Sequence, residues 1–176
     1  MNNATPANDV TDTATAFARE NARLADAAKG HTRGAKYRAD MTGPEIAKAI
    51  RADIKAAQKA GDLPAMKVSV RFRWATHAMA IDVSIKEWSG QIWSTKRVRE
   101  EMAGAYTFTP RYTNAASLLV DAVKSYASAY NYDRSDRMTD YFDVNFYLSV
   151  DFDSDLCESS RKATEATVRA AYGVAS

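Results

Sequence analysis

Apolar and polar residues alternate in three segments of the chain, and this period of two predicts three strands. The segments run from Met66 to Trp74, from Ile81 to Ile85 and from Val144 to Phe152. Because successive side chains of a strand point to opposite faces, each segment would turn one apolar face to a core and one polar face to water. A short turn over residues 75–80 joins the first two segments, so we expect an antiparallel hairpin.

Apolar residues three and four positions apart predict an amphipathic helix before the hairpin. Its apolar stripe consists of Ile46, Ile50, Ile54 and Ala57. At the start of this stripe, Thr42 and Glu45 have the spacing of a capping box, in which each side chain bonds the backbone N–H of the other residue. Gly61 and Pro64 are expected to end the helix.

The same spacing predicts two later helices, one over about residues 113–130 and one over about residues 156–172. We expect Asp155 and Glu158 to form the capping box of the last helix. A short helix is also expected over residues 96–103, between the hairpin and the longer helices.

These elements predict an α+β protein: an antiparallel sheet of about three to five strands with helices mainly on one face, preceded by an N-terminal helical arm. Residues 1–40 are rich in Ala, Asn, Thr and Asp, and a helix over about residues 12–29 would have a mostly alanine face. The basic segment 31–40 has the composition of a linker. We therefore assign residues 1–40 to an arm and linker, and residues 41–176 to a single α+β domain.

Composition and length restrict the class of protein. The 176 residues are 46% apolar, which is enough for a core, and the net charge of +2 does not by itself indicate a nucleic-acid or membrane partner. A single cysteine, Cys157, excludes an internal disulfide framework and is typical of a reducing compartment. No apolar run approaches the roughly 20 residues of a membrane helix, and the N-terminus lacks the features of a secretory signal. We expect a cytoplasmic protein without a membrane partner and without a cofactor.

Two blocks of the sequence resemble a known family. The first combines IAKAIRADIKAA, MKVSVRFRW and AIDVSI, and the second is YNYDRSDRMTDYFDVNFY. Both are similar to the large polyvalent protein-associated domain, and the resemblance covers about residues 41–152. Such domains occur in large multi-domain proteins of phages and conjugative elements and also as small free-standing proteins. The resemblance implies an accessory protein that enters the recipient cell with incoming DNA and acts in the host cytoplasm, and it implies no catalytic residues.

Basic residues concentrate in the first predicted helix and strand. Residues 41–100 hold 11 Lys and Arg against 6 Asp and Glu. One helix face and the outer strand face would carry Lys48, Arg51, Lys55, Lys59, Lys67, Arg71 and Arg73. A continuous positive face of this kind would neutralise nucleic-acid phosphates or bind another charged partner. Alternatively, it is an ordinary solvated helix face beside a charged strand that resists aggregation.

A second candidate site is the segment 133–141, which is rich in Asp, Ser and Thr. Its candidate residues are Asp133, Ser135, Asp136, Asp140 and Tyr141. Because such side chains bond nearby backbone groups, one interpretation is a rigid, self-bonded turn between a helix and a strand. The other is a recognition loop, with Tyr130, Tyr132 and Tyr141 as contact aromatics.

The three tryptophans lie close to the predicted hairpin. We expect Trp74 in the core, because it belongs to the apolar positions of the first strand. Trp88 and Trp93 have polar neighbours in the sequence and are candidates for an exposed contact surface.

Metal binding and catalysis have little support in the sequence. The residues Asp151, Asp153, Asp155 and Glu158 have the spacing of half a calcium loop. The glycine and the final glutamate of that loop are missing, so no metal site is predicted. Cys157 would lie at a helix start, where a thiol pKa falls, but nothing in the sequence brings His31 or His77 to it. With no phosphate-binding loop and no other catalytic motif, we predict no catalytic residue and no enzyme.

Our first hypothesis is a phage or mobile-element accessory protein that acts as a non-catalytic binding module. Its expected partner is a host protein or a protein–nucleic-acid complex, and its expected role is inhibition of a host defence system, in the manner of an anti-CRISPR or anti-restriction protein. The alternative is a protein that grips the backbone of DNA or RNA through the basic helix–strand face, without reading sequence. The basic first half and the Asp-rich end would also allow a homo-oligomer.

Overall fold

The computed structural model describes residues 18, 20–75, 78–136, 138–139 and 141–173, and it confirms the predicted α+β class. In chain order the elements are α1 (residues 20–27), β1 (Thr32–Arg33), α2 (Gly43–Ala60), β2 (Met66–Ala75), β3 (Ala78–Trp88), α3 (Thr95–Met102), α4 (Asn114–Ser128), β4 (Tyr132–Asp133), β5 (Tyr147–Phe152) and α5 (Ser154–Tyr172). None of these described helices is long and apolar enough to span a membrane.

The three longer strands form one mixed sheet in the order β2-β3-β5. The predicted hairpin is confirmed, because β2 and β3 pair in antiparallel fashion with Phe72 opposite Ile81. The third strand differs from the expectation, since β5 lies parallel to β3, with Ile81 opposite Leu148. The physical reason is the long connection over residues 89–146, which contains α4 and returns the chain to the end where β3 begins.

Helices cover one face of this sheet, as predicted. The inner face of β3 consists of Ile81, Val83 and Ile85, which are at most 2% exposed. They share one core with the apolar stripe of α2 and with Leu119 and Val123 of α4. The opposite face of the sheet carries Arg71, Asp82 and Ser149 and is open to solvent. We call it the open face.

The predicted cap of α2 is confirmed, whereas the predicted cap of α5 is wrong. The backbone N–H of Thr42 donates to Glu45 Oε2 at 2.8 Å, and this bond lowers the pKa of the Glu45 carboxyl. Helix α5 begins earlier than expected, because Asp153 caps it by accepting from the backbone N–H of Asp155 at 3.3 Å. Glu158 instead pairs with Lys162 one turn further on, at 2.6 Å.

Residues 31–36 of the predicted arm are bonded to the rest of the protein. Strand β1 pairs with β4 in antiparallel fashion. The backbone N–H of Gly34 donates to the carbonyl of Asn131 at 2.8 Å, and that of Lys36 donates to the carbonyl of Ala129 at 2.7 Å. The start of the predicted arm helix, including Asp12, lies outside the described residues, and the division at residue 40 stays a prediction.

Gly34 gives the first testable prediction, because β1 passes very close to the end of α4 at this residue. A Cβ atom at position 34 would lie 2.3 Å from the Ala129 carbonyl oxygen, which belongs to the backbone and cannot swing aside. We therefore expect Gly34→Ala to lower the free energy of unfolding by about 1–3 kcal/mol in urea denaturation, and to open the arm to limited proteolysis. Ala35→Ser, at the exposed neighbouring residue, is the control. Unchanged unfolding and proteolysis of Gly34→Ala would show that the arm does not rest on α4 in solution.

Candidate functional site

Helix α2 lies along the outer edge of β2. Arg51 Nη2 donates to the carbonyl of Val70 at 2.6 Å, and Gln58 Nε2 donates to the carbonyl of Met66 at 2.8 Å. Because β2 is the end strand of the sheet, some of its carbonyls have no neighbouring strand to bond. Arg51 and Gln58 supply that partner, and they fix which flank of α2 faces outward.

Four cations occupy this outward flank, and we call them the basic stripe. They are Lys48, Arg51, Lys55 and Lys59, and all four are exposed. The twelve residues from Lys48 to Lys59 cover about 16 Å along the helix axis. Lys48, Lys55 and Lys59 form no ion pair within the part of the chain that the structure describes.

The carboxylates of α2 do not neutralise the basic stripe. Glu45 is bonded to Thr42 at the start of the helix. Asp53 lies on the opposite flank, where it accepts from the Tyr130 hydroxyl at 2.7 Å and from Lys36 Nζ at 2.6 Å. Burial, together with the hydrogen bond to Asp53, raises the pKa of the Tyr130 hydroxyl well above its usual range. The stripe therefore presents its positive charge to solvent.

The strand part of the predicted basic surface is different, because two of its cations are paired. On the open face, Lys67 pairs with Glu87 at 2.9 Å and Arg73 pairs with Asp82 at 2.5 Å. Arg71 lies opposite Asp82 in the strand register and is exposed. The seven predicted residues thus divide into the uncompensated basic stripe and a strand group that is partly neutralised by its neighbours.

The segment 133–141 bonds to itself, which favours the structural interpretation of this loop. Asp133 Oδ1 accepts from the backbone N–H of Ser135, and Asp136 Oδ1 accepts from that of Met138, both at 2.9 Å. Asp136 and Tyr141 also bridge by backbone hydrogen bonds, which closes a tight turn. Tyr141 is 59% exposed, and Asp140 lies outside the described residues.

Two of the expected contact aromatics have structural roles. The hydroxyl of Tyr130 bonds Asp53, and that of Tyr132 donates to Asp143 at 3.0 Å. Burial and this carboxylate raise the pKa of the Tyr132 hydroxyl. Tyr141 is the one member of the predicted aromatic trio whose ring is largely open to solvent.

Replacement of Asp136 tests the self-bonded turn. Asp136→Ala removes the acceptor of the Met138 N–H, so we expect a loss of about 1 kcal/mol in the free energy of unfolding and a fall of about 3 °C in melting temperature. Asp121→Ala is the matched control, because Asp121 is exposed on α4 and its side chain bonds no described residue. A stable Asp136→Ala protein that has lost binding would favour the recognition-loop interpretation instead.

The acidic residues near α5 are distributed among separate contacts. Asp151 accepts from the Tyr112 hydroxyl at 2.6 Å, and Asp153 accepts from Lys86 Nζ at 2.8 Å. The bond from Lys86 lowers the pKa of the Asp153 carboxyl. Within the described residues, no group of three His, Cys, Asp or Glu side chains is arranged to hold a metal ion.

Cys157 is buried at the start of α5, next to a tyrosine. Its Sγ lies 3.8 Å from the Tyr112 hydroxyl, and burial raises the pKa of that hydroxyl. His77 lies outside the described residues. The expectation that the protein is not an enzyme stays a prediction.

The expectations for Trp74 and Trp93 are wrong. Trp74 is 73% exposed, because α2 begins beside Phe72 and leaves the end of β2 uncovered. Trp93 is buried, and its Nε1 donates to the carbonyl of Cys157 at 2.9 Å. Trp88 is half-buried and stacks on Phe152.

A feature that the sequence pattern does not reveal is the loop between α3 and α4. Two of its rings, Tyr106 and Phe108, are 88% and 90% exposed. The segment has no periodicity that separates inward from outward positions, and the only local signal is the presence of two aromatic residues in a polar stretch.

Comparison of the chain with protein-family models, with curated proteins and with solved structures found no match. The resemblance to the large polyvalent protein-associated domain therefore stays a prediction.

Proposed function

We propose that this protein is a non-catalytic binding module that grips the backbone of nucleic acid, free or within a protein–nucleic-acid complex, through the basic stripe. The supporting observation is the contrast between the paired cations of the open face and Lys48, Lys55 and Lys59, which form no ion pair with any residue that the structure describes. Phosphates that meet an uncompensated row of cations displace condensed counterions, and this release favours binding.

The residue types favour contact with the backbone rather than with base edges. Three of the four cations are lysines, whose compact charge on a flexible stem suits phosphate contact, whereas the planar fork of arginine and the side-chain amides suit bidentate contact with base edges. Arg51, the one arginine, is held by the carbonyl of Val70. Binding through this surface would position the nucleic acid without selecting its sequence.

The salt dependence of binding tests this proposal. A stripe that neutralises about four phosphates predicts a slope of about −3.6 for log affinity against log salt with duplex DNA. We expect the triple variant Lys48→Gln, Lys55→Gln, Lys59→Gln to reduce the slope to about −0.9 and to weaken binding at low salt, because one arginine remains. Fluorescence anisotropy with a labelled oligonucleotide over a salt series measures both quantities.

The matched control is Lys162→Gln, which removes an exposed lysine that pairs with Glu158 on α5. Its slope should equal that of the unmodified protein, and the triple variant should melt at no lower temperature than this control, so that a reduced slope does not reflect unfolding. Equal slopes for the triple variant and the unmodified protein would overturn the role of the basic stripe.

We further propose that the module serves a phage or mobile element by opposing a host defence complex that handles nucleic acid. The support for this setting is the resemblance of residues 41–152, and the basic stripe offers a surface that such a complex would meet. Expression of the protein in a host with an active defence system should raise the plating efficiency of a targeted phage, and the triple variant should lose this effect. A host that lacks the defence system is the control, and unchanged plating in defended hosts would contradict the proposal.

A further inference from the structure

The loop between α3 and α4 presents a pair of aromatic rings to solvent. We call residues 105–110 the aromatic loop. Its rings, Tyr106 and Phe108, meet edge to face with centroids 5.2 Å apart, and both are about nine-tenths exposed. Rings of this size normally bury much of their area, so two adjacent rings held in water mark a contact surface.

Side chains of α3 hold the backbone of the aromatic loop in place. Arg97 Nη1 donates to the carbonyl of Thr107 at 2.8 Å and to that of Thr109 at 3.1 Å. The Thr107 hydroxyl donates in turn to Glu100 on α3. Because these bonds hold the backbone on both sides of Phe108, little backbone freedom is lost when the rings meet a partner.

Most of the exposed charge around the aromatic loop is positive. Glu101 faces inward, where it pairs with Arg97 and, at 2.8 Å, with Arg161. The exposed charged residues nearby are cations, namely Lys96, Arg99 and Arg111. Lys96, Glu100 and the two rings line one open cleft of about 640 Å³, and Lys96 Nζ lies 3.8 Å from Glu100 Oε1. The outward surface is therefore aromatic with a net positive charge, because Glu101 is paired inward, Glu100 offsets Lys96 only, and Arg99 and Arg111 form no ion pair within the described residues.

We propose that the aromatic loop stacks on unpaired bases, so that the nucleic acid this module prefers is single-stranded. The inference rests on the proposed function and names its substrate class. Exposed rings beside cations are the combination that binds single strands, because every base offers a π-face and the backbone offers phosphates. In a duplex the faces of the bases are already stacked on one another, so the rings of the aromatic loop would have no base to stack on. An apolar groove of a partner protein fits less well, because it would leave the exposed Arg99 and Arg111 without a negatively charged partner.

The test compares an oligothymidine of about 15 nucleotides with a duplex of equal length. We expect the unmodified protein to bind the single strand more tightly. Tyr106→Ala and Phe108→Ala should each weaken single-strand binding on the order of 5- to 150-fold, with duplex binding and the salt slope unchanged. The exchange Tyr106→Phe should retain affinity, because it keeps the ring. Phe142→Ala, at a ring that is 65% exposed elsewhere, is the matched control.

The outcomes separate this inference from the proposed function. Single-strand binding that survives both alanine variants, with its lysine-dependent salt slope intact, would overturn the stacking and leave the basic stripe in place. Failure to bind either oligonucleotide at low salt would overturn both. Ring-dependent binding to vesicles of phosphatidylserine, with no preference for the single strand, would assign the loop to a lipid surface and overturn the inference.

Discussion

The parallel pairing of β5 with β3 is the constraint on which the rest of the structure depends. Parallel neighbours enter a sheet from the same end, so the chain after β3 has to travel back along the sheet before β5 begins. Helix α4 makes this return and packs Leu119 and Val123 into the core. Asn131 then fixes the entry of β5, because its side-chain amide accepts from the N–H of Phe146 at 3.1 Å and donates to the carbonyl of Phe146 at 2.9 Å. This amide occupies the place of a neighbouring strand and shields the edge of the sheet where β5 begins.

The two edges of the sheet explain where the candidate surfaces lie. At the β2 edge, Arg51 and Gln58 reach across to backbone carbonyls, so the flank of α2 next to them is necessarily at the protein surface. The basic stripe occupies that flank.

At the β5 side of the sheet, α5 starts directly after β5 and packs against α3. There Arg161 pairs with Glu101 and lies over the ring of Trp93. This packing of α5 against α3 also positions the aromatic loop, since Arg97 bonds both Glu101 and the backbone of the loop.

Local patterns predict the elements of this fold but not the way they meet. The alternation in β2 and β3 and the helical spacing in α2 each report a single element, so the hairpin and the Thr42 cap can be derived from residues a few positions apart. The direction of β5 depends on the path of a long connection, about which alternation carries no information. The neutralisation of Lys67 by Glu87 depends on a register that shifts between Lys67 and Val68, so the loss of charge on the strand cannot be seen in the sequence.

The electrostatics of α2 support the proposal that the basic stripe contacts phosphates. Its neighbouring members are three or four residues apart, which gives three pairs of like charge. Each such pair destabilises a helix by a few tenths of a kcal/mol, so the three pairs together cost roughly 1 kcal/mol. The helix dipole favours a cation only in the last turn, which holds Lys59, and does little for Lys48 or Arg51. Asp53, the acidic residue within the span of the stripe, is engaged on the opposite flank by Tyr130 and Lys36. The repulsion along the stripe is thus not offset by carboxylates within the described residues, whereas an external row of phosphates would relieve it and gain counterion release at the same time.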